Sequence, residues 1–485
     1  MININLDDKK LFGNDAGEDE ELEVLNAYYI DNTNFYDYFD PSERLSIASA
    51  RKGMGKSALL SRLEYRLKTE HPVFQSPIVI RVKGNELIGL GDFQGFDHTN
   101  LENYWKQIIC KRILIEVGNQ VNIALTGNEI SMITLAELEV AKTKNIINAL
   151  ISRTIEKTAE NGNESPKHNN AEIQLQQYLD THVNKVVWLL IDDIDAKFQN
   201  TVESQARVGS FFSAIRSLAF DYKGLVVRTT VRSDVWSCLR HLEDLDKLQQ
   251  YMIPIVWTKK QMRDMLAQRI LVYIKNRHPD TPESKLKTST DYNKILDIVF
   301  NSPIEWGDNK DAKLFEAIST FSNRRPRWMG QLCRMAGRKA KENPRIKKIN
   351  IDHLDYILSE YGANRRDDLI KEHIHQFEEL SNLIDALRAS KKEFSCSALE
   401  EMLEFNFIRG RNKDQIAMID GKPYSAPEDL GDFLYKLGII SHIHLDGKEF
   451  THFTDDPDLY RSIENRRDKI TWSLHPSYRK FLNVH

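Results

Sequence analysis

The stretch LSIASARKGMGKSALL, residues 45–60, decides the fold. An apolar strand pattern, LSIAS, leads directly into ARKGMGKS, and the segment that follows has the apolar periodicity of a helix. Gly53 and Gly55 allow the backbone to turn tightly, so that successive N–H groups can converge at the start of that helix. The sequence therefore predicts a phosphate-binding loop between a strand and a helix.

The side chains of this loop are of the types that bind a nucleoside triphosphate and its metal. Lys56 can reach the outer phosphates, and Ser57 can ligate magnesium. Ala50 stands where such a loop usually begins with glycine, but alanine permits the turn if its φ is negative, so we expect only a modest loss of affinity. The predicted nucleotide-binding residues are Lys52, Gly53, Met54, Gly55, Lys56, Ser57 and Ala58.

A second motif, VVWLLIDDID at residues 186–195, has the pattern of a buried strand that ends in carboxylates. A magnesium ion on Ser57 needs such a partner, and we expect Asp192 to hold it through water. Asp193 is predicted to orient and deprotonate the attacking water. Asp195 is expected to cap a helix.

A third motif, GLVVRTTVRSDVW at residues 224–236, is a strand that ends in hydroxyls and a guanidinium. Ligands of doubly wound sheets lie beyond the carboxyl ends of the strands, so Arg232, with Thr230 as a second candidate, is predicted to project toward the γ-phosphate. The alternative is that Arg232 simply pairs with Asp234 or with a neighbouring helix.

The strand patterns predict an α/β core with a parallel sheet covered on both faces, because helical patterns separate them. A helical insertion at about 97–180 includes a helical stretch, 132–158, and a polar loop, 161–170. The C-terminal part combines helices with a hairpin pattern, IISHIHLDGKEFTHF, which is typical of a winged helix. The predicted domains are a disordered acidic tail 1–20, a P-loop core 21–258, a helical lid 259–345 and a winged-helix-like domain 346–485.

Composition limits the class of protein. The 67 basic and 71 acidic side chains give a net charge of −4, which argues against global attraction to nucleic acid or to an anionic membrane. No apolar run is long enough for a membrane helix and the start lacks a secretory pattern, so a cytoplasmic protein is expected. Four scattered cysteines without a CxxC pair indicate neither a disulfide framework nor a zinc site.

With these motifs in order, the chain resembles the AAA+-related P-loop ATPases of the STAND and origin-recognition branch, particularly bacterial ATPases found beside effector genes in phage-defence loci. The pattern GRKGxGKSAL of that group is similar to ARKGMGKSAL at residues 50–59, and LLIDDID and VRSDVW also match. NRRPRWMGQL, residues 323–332, is similar to the motif that carries a lid arginine, which implies that Arg327 senses nucleotide. WSLHPSYRKFL, residues 472–482, is a weaker match.

The resemblance implies a magnesium-dependent ATPase switch with ATP and Mg²⁺ as cofactors. It also implies a homo-oligomer and a separate effector protein, for instance a nuclease. Two departures stand out: Ala50 replaces glycine, and Asp193 replaces the glutamate usual in vigorous hydrolases, so turnover is expected to be slow.

Two other functions remain open. Residues 324–348 include ten basic side chains and only one acidic side chain, Glu342. This stretch could bind a nucleic-acid backbone beside the winged helix. The alternative to that interpretation is a solvated basic helix. An ATP-gated DNA-binding initiator or loader is therefore the second hypothesis, and a scaffold that retains nucleotide without hydrolysing it is the third. A metal site at His442, His444 and His452 is disfavoured, because no cysteine or carboxylate accompanies them at suitable spacing.

Overall fold

The structure is a computed structural model of the whole chain, in which certain segments can be described. The predicted helical stretch 132–158, the polar loop 161–170 apart from its last residue, and the turn at Asp446 and Gly447 lie outside the described residues. The described residues are 2–14, 20–30, 35–70, 77–88, 98–120, 170–239, 242–306, 309–409, 418–420, 422–424, 426–444, 450–453, 455–466 and 469–484.

The chain folds into two compact units. One consists of Asp31–Val256, and the other combines Met1–Ile30 with Trp257–His485. The chain therefore begins in one unit, builds the other and then returns to the first. No helix in the described ranges is both long and apolar enough to cross a membrane.

The strands belong to separate sheets in the two units. They are β1 Leu45–Ala50, β2 Ile78–Lys83, β3 Val187–Asp192, β4 Leu225–Arg232, β5 Met252–Pro254, β6 Ile304–Trp306, β7 Asn309–Ala312, β8 Glu393–Phe394, β9 Met418–Ile419, β10 Lys422–Pro423, β11 Ile440–Ile443, β12 Phe450–Thr451 and β13 Thr471–Leu474.

The helices surround these sheets. They are α1 Leu22–Tyr28, α2 Tyr36–Phe39, α3 Lys56–Thr69, α4 Gly84–Ile88, α5 His98–Gln120, α6 Asn170–Thr181, α7 Val202–Asp221, α8 Ser233–Leu239, α9 Lys259–Arg277, α10 Thr288–Val299, α11 Leu314–Phe321, α12 Pro326–Lys341, α13 Ile351–His373, α14 Leu380–Asp385, α15 Cys396–Leu403, α16 Pro427–Leu437, α17 Ile463–Arg466 and α18 Pro476–Arg479. Short 3₁₀ helices lie at Lys9–Leu11, Glu243–Tyr251, Pro282–Lys285 and Leu459–Arg461, and a π-helical turn at Glu404–Ile408.

The unit of Asp31–Val256 is built on a parallel sheet with the strand order β2-β3-β4-β1-β5. All six residues of β3 are buried, as expected for a parallel strand covered on both faces. The predicted α/β P-loop fold is confirmed. Strand β5 was not predicted, because it is only three residues long and therefore gives little periodic signal.

The described part of the helical insertion packs against the sheet through α7. Trp105 on α5 is fully buried, and its indole Nε1 donates a hydrogen bond of 2.9 Å to the carbonyl of Arg207. The ring of Trp105 also meets Phe211 edge-on, with 5.4 Å between centroids. Burial of an aromatic side chain with its polar atom satisfied fixes α5 firmly on α7.

The predicted disordered tail is wrong for residues 2–14, because this segment packs on the lid helices. Leu11 and Phe12 are completely buried, and Phe12 stacks on Phe300. Arg269 on α9 donates a 2.8 Å hydrogen bond to the carbonyl of Phe12. A Cβ at Gly337 would lie 2.2 Å from the carbonyl oxygen of Leu6, so this close contact requires glycine.

The next segment, α1, belongs to the same unit rather than to the core. Gln268 on α9 donates a 2.7 Å hydrogen bond to the carbonyl of Ala27, and Arg269 lies over the ring of Tyr28. The core unit therefore begins at Asp31 and not at residue 21. The apolar spacing of this segment predicted an amphipathic helix but could not show which unit its apolar face contacts.

The C-terminal part of the chain is winged-helix-like, with one addition. Helices α15 and α16 precede the antiparallel pair β11–β12, as in a helix pair followed by a wing. Strand β13 from the end of the chain lies between β11 and β8 and completes a four-stranded sheet, β12-β11-β13-β8. The late WSLHPSYRKFL stretch supplies this strand and α18.

Substitution of Phe12 tests whether the N-terminal segment stabilises the lid. Phe12→Ala removes a fully buried aromatic ring and should lower the stability of this unit by about 3 kcal/mol. Hydrogen exchange of α12, measured in increasing urea, should report the loss. Lys9→Ala changes an exposed residue of the same segment and serves as the control; equal exchange in both variants would contradict the packing role.

Candidate functional site

The predicted phosphate-binding loop has the backbone that anion binding requires. It connects the last residue of β1, Ala50, to the first residue of α3, Lys56. Gly53 has φ of +79°, and Gly55, the residue before the helix, has φ of +99°. Both lie in the left-handed region that favours glycine. The N–H groups of the first turn of α3 therefore stand at a helix N-terminus, where the helix dipole also favours an anion.

Alanine at position 50 is compatible with this loop. Ala50 ends β1 as a strand residue opposite Arg232 of β4, and it is not among the residues with positive φ. Its Cβ is buried, so the side chain contributes to the sheet core. Because Ala50 is still a strand residue, the turn begins after it, and the left-handed conformations of the loop fall on Gly53 and Gly55.

Lys56 lies over the loop rather than in solvent. Its side chain is buried, and Nζ donates a 3.2 Å hydrogen bond to the carbonyl of Ala50. An ammonium held in this way is close to the main-chain amides that would bind phosphate. The assignment of phosphate binding to residues 52–58 stays a prediction.

Asp192 ends β3 beside this loop and is almost fully buried. Thr230 of β4 donates a 2.8 Å hydrogen bond to its Oδ1. Its Oδ2 lies 3.5 Å from Nη2 of Arg81 and accepts no hydrogen bond from the described residues. A buried carboxylate oxygen without a hydrogen-bond donor suits a water bound to magnesium, so the residues present fit the predicted metal.

Arg81 on β2 connects the carboxylate to the helix of the loop. Besides approaching Asp192, it donates hydrogen bonds to Ser61, Glu64 and the carbonyl of Ser57, at 2.8, 3.0 and 3.5 Å. One guanidinium therefore contacts both the carboxylate of Asp192 and the main-chain carbonyl of Ser57. Arg81 was not predicted as a site residue; the signal in the sequence was a single charged residue inside the otherwise apolar strand IVIRV.

Asp193 occupies a strained position directly after β3. Its φ is +55°, a conformation that non-glycine residues rarely adopt and that is concentrated at functional sites. Gly84 makes room for this turn, since a Cβ there would lie 2.7 Å from the carbonyl oxygen of Asp193 and 2.3 Å from Cα of Ile194. The backbone is thus held so that Asp193 departs from the strand direction.

Arg232 pairs with Asp234, which was the alternative interpretation of its motif. Its Nε donates a 3.2 Å hydrogen bond to Asp234 Oδ1, and Nη2 donates to Oδ2. Thr230, the second candidate for phosphate contact, instead supports Asp192. The role of Arg232 as a sensor of the γ-phosphate stays a prediction.

The expectation that Asp195 caps a helix is wrong. The next helix, α7, begins at Val202 and has its own cap, Thr201. Asp195 is completely buried, and its Oδ2 accepts a 2.6 Å hydrogen bond from the main-chain N–H of Arg232. Burial raises the pKa of Asp195, and the cations of Lys56 and Arg232 oppose that shift.

Arg327 lies in the other unit, at the second position of α12, and its role as a lid sensor stays a prediction. Its neighbour Arg325 is buried, donates a 2.9 Å hydrogen bond to Glu372 of α13, and lies 4.1 Å from the ring centre of Trp328. The start of α12 is therefore fixed to the first helix of the C-terminal region.

Much of the basic stretch 324–348 is engaged by the chain's own acceptors. This leaves less of it available to a nucleic acid than the sequence suggested. The partners are Asp455 for Arg324, Glu372 for Arg325, the carbonyl of Gly13 for Arg334, Asp7 for Arg338 and Lys341, and Glu342 for Lys339.

The helix in the position of a recognition helix, α16, is acidic. Arg461 forms ion pairs with two of its carboxylates, Asp429 at 3.1 Å and Asp432 at 2.8 Å. Lys436 pairs with Asp420 at 2.8 Å. Carboxylates repel the phosphates of a groove, so the charge of α16 does not favour its insertion into DNA.

The three histidines of the wing form no metal site in the described part of the chain. His442 stacks on His444, with 4.6 Å between ring centroids. A ring nitrogen of His444 lies 2.9 Å from the hydroxyl of Thr451. The four cysteines are all buried, and none forms a disulfide.

The strand order, the glycine loop and the carboxylate at the end of β3 define the core as an AAA+-like P-loop fold. No protein-family model matches the chain, and no curated protein matches it.

Solved structures of origin-recognition proteins are similar at low identity. Cdc6p from Pyrobaculum aerophilum is 12% identical with a TM-score of 0.35, and the match covers 100% of this chain and 99% of that one. The Aeropyrum pernix ORC2 protein, solved as ADPNP–ADP complexes, is 11% identical with a TM-score of 0.39 and coverages of 95% and 91%. The Aeropyrum pernix ORC1 protein in complex with DNA is 12% identical with a TM-score of 0.33 and coverages of 98% and 96%.

Two reciprocal substitutions test the loop geometry. Gly55→Ala forces a Cβ into a left-handed position, which costs about 1–3 kcal/mol and should weaken nucleotide binding by about 5- to 150-fold. Ala50→Gly should leave the affinity for ATP within about twofold and lower stability by about 0.5–1 kcal/mol, because glycine weakens a strand. Calorimetric titration with ATP measures the affinity of each variant, and thermal unfolding measures the stability of Ala50→Gly. Equal affinities in the two variants would contradict this loop geometry.

Proposed function

We propose that the chain is a magnesium-dependent ATP-binding and hydrolysing switch. The observation that supports this most directly is the pairing of a left-handed glycine loop with a buried carboxylate whose Oδ2 accepts no hydrogen bond from the described residues. Bound magnesium would neutralise charge on the phosphates and orient them. Adenine is preferred to guanine on the resemblance, since no NKxD-like guanine motif is present in the sequence.

Each residue of the loop has a distinct part in this proposal. The main-chain amides of residues 52–58 bind the phosphates, and Lys56 neutralises their charge. Ser57 and Asp192 hold magnesium, with Arg81 and Thr230 fixing the orientation of the Asp192 carboxylate. Magnesium usually retains several waters, so two protein groups are sufficient for such a site.

Asp193 is the proposed base for water attack. Its side chain is one methylene shorter than the glutamate usual in vigorous hydrolases, so slow turnover is proposed. The sensors Arg232 and Arg327 would then distinguish the triphosphate from its product, and the conformation of the lid would follow from that difference. A homo-oligomer is proposed on the resemblance, and the cytoplasmic location expected from the sequence is kept as a proposal.

We propose two processes that the switch could control, and a structural observation supports one of them. The winged-helix-like arrangement of α15, α16 and β11–β12 favours an ATP-gated DNA-binding initiator or loader. Because α16 is acidic, DNA contact would depend on exposed cations such as Arg345 and Lys347. Regulation of an anti-phage defence complex with a separate effector, for instance a nuclease, rests on the sequence resemblance alone.

Phosphate release tests the ATPase proposal. Lys56→Ala should abolish ATP binding and phosphate release together, because the phosphates lose their main cation. Asp193→Asn should retain binding but lower the rate of release about a hundredfold, in the range lost with a general base. A malachite-green assay measures release, and equal background release from the wild type and both variants, without ATP binding, would refute an ATPase.

Salt-dependent binding to duplex DNA tests the initiator output. Charge removal in Arg345→Gln and Lys347→Gln should weaken binding and reduce the slope of log K against log salt by about one for each lost phosphate contact. Lys9→Gln removes an exposed cation elsewhere in the same unit and should change neither. Absence of DNA binding at low salt, with or without ATP, would exclude this output and leave the defence role.

A further inference from the structure

Four charged side chains form one electrostatic cluster at the carboxyl ends of the central strands. Lys56 is in the phosphate loop, Arg232 ends β4, Asp195 follows β3 and Asp234 begins α8. Ala50, whose carbonyl binds Lys56, lies opposite Arg232 in the pairing of β1 with β4. The two cations that are expected to meet phosphate therefore share their surroundings with two carboxylates.

The pairing of these groups is close. Both carboxylate oxygens of Asp234 accept hydrogen bonds from the guanidinium of Arg232. Asp195 binds the main-chain N–H of the same arginine, and electrostatic interactions link it to Lys56, Arg232 and Asp234. Two cations and two carboxyl groups thus lie together in a region from which solvent is largely excluded.

Asp195 is the unusual member of the cluster. It is completely buried, and its Oδ1 accepts no hydrogen bond from the described residues. A buried carboxylate with an unsatisfied oxygen is costly unless nearby cations compensate it. The N–H of Arg232 and the positive charges of Lys56 and Arg232 oppose that cost at Asp195.

We propose that Asp195 and Asp234 act as internal competitors of the nucleotide, holding Lys56 and Arg232 against the pull of the phosphates. This inference rests on the proposed ATP-binding function. Phosphate oxygens and carboxylates have the same charge and seek the same donors, and the Nε–Nη2 edge of a guanidinium binds one such anion at a time. Arrival of the γ-phosphate at this Nε–Nη2 edge of Arg232 therefore requires release of that edge from Asp234. The competition lowers affinity for every nucleotide at Lys56 and makes Arg232 respond to the third phosphate.

Isosteric substitutions separate competition from a merely structural role. Asp195→Asn keeps an oxygen acceptor for the N–H of Arg232 but removes the negative charge, so ATP and ADP should both bind about tenfold more tightly. Asp234→Asn should tighten ATP binding more than ADP binding, because it frees Arg232 for the γ-phosphate. Calorimetric titrations with Mg·ATP and Mg·ADP measure both effects.

Two further variants serve as controls in these titrations. Asp180→Asn makes the same change of charge at an exposed position of the same unit and should leave both affinities unchanged. Asp195→Ala also removes the acceptor for the main-chain N–H of Arg232 and should lower the melting temperature. That decrease measures the contribution of Asp195 to stability separately from its effect on nucleotide affinity. If Asp195→Asn does not fold, the ratio of ATP to ADP affinity in Asp234→Asn decides the question.

The possible failures are distinguishable. Wild-type binding of ATP combined with unchanged or weaker binding by folded Asp195→Asn and Asp234→Asn variants overturns the competition and leaves the ATP-binding function intact. Failure of the wild type and all variants to bind either nucleotide overturns both. A structural role alone predicts weaker binding and lower stability in the Asn variants, which is opposite in sign to the competition.

Discussion

The interior position of β1 in the parallel sheet, between β4 and β5, is the constraint on which the site depends. With the order β2-β3-β4-β1-β5, the loop after β1 lies beside the end of β4, and the end of β3 lies one strand further away. Thr230 lies on the intervening strand, β4, and its hydrogen bond to Asp192 joins that strand to the end of β3. Phosphate loop, metal carboxylate and strand arginine are thereby brought to one edge of the sheet, as parallel strands require for ligands at their carboxyl ends.

Charge compensation is the second feature of the residues at the carboxyl ends of these strands. Lys56, Asp192, Asp195 and Asp234 are all buried, and each is hydrogen-bonded: Lys56 donates to the carbonyl of Ala50, and the three carboxylates accept from Thr230 or from Arg232. Buried charges are tolerated when they are paired and hydrogen-bonded. A binding site for a highly charged ligand built in this way needs little reorganisation of solvent, but its cations must leave their present partners when the ligand binds.

The sequence predicted the parallel sheet and its loop well, because both depend on local patterns. Apolar runs of strand length ending in GMGKS, DD and R located β1, β3 and β4 to within about one residue. Winged-helix-like order was also predictable from helix spacing and the hairpin pattern. Local pattern could not show that Leu11 and Phe12 pack on the lid, since a short polar segment with a few apolar residues resembles a tail until its tertiary partners are known.

The site was less predictable than the fold for the same reason. Asp195 was expected to cap a helix, but tertiary contact with the backbone of Arg232 determines its position. Arg81 was missed because its role depends on Ser57, Ser61, Glu64 and Asp192, which are distant in sequence from it. The partners of the basic stretch, including Asp7 and Glu372, are likewise visible only in the folded chain.

A crystal structure of the protein with magnesium and a non-hydrolysable ATP analogue would test the central claim most directly. The account predicts the β- and γ-phosphates on the amides that follow Gly53 and Gly55, Lys56 Nζ moved from the Ala50 carbonyl to a phosphate oxygen, and the metal between Ser57 and a water held by Asp192. An analogue bound away from this loop, or Lys56 still bonded to Ala50 beside an occupied site, would contradict it.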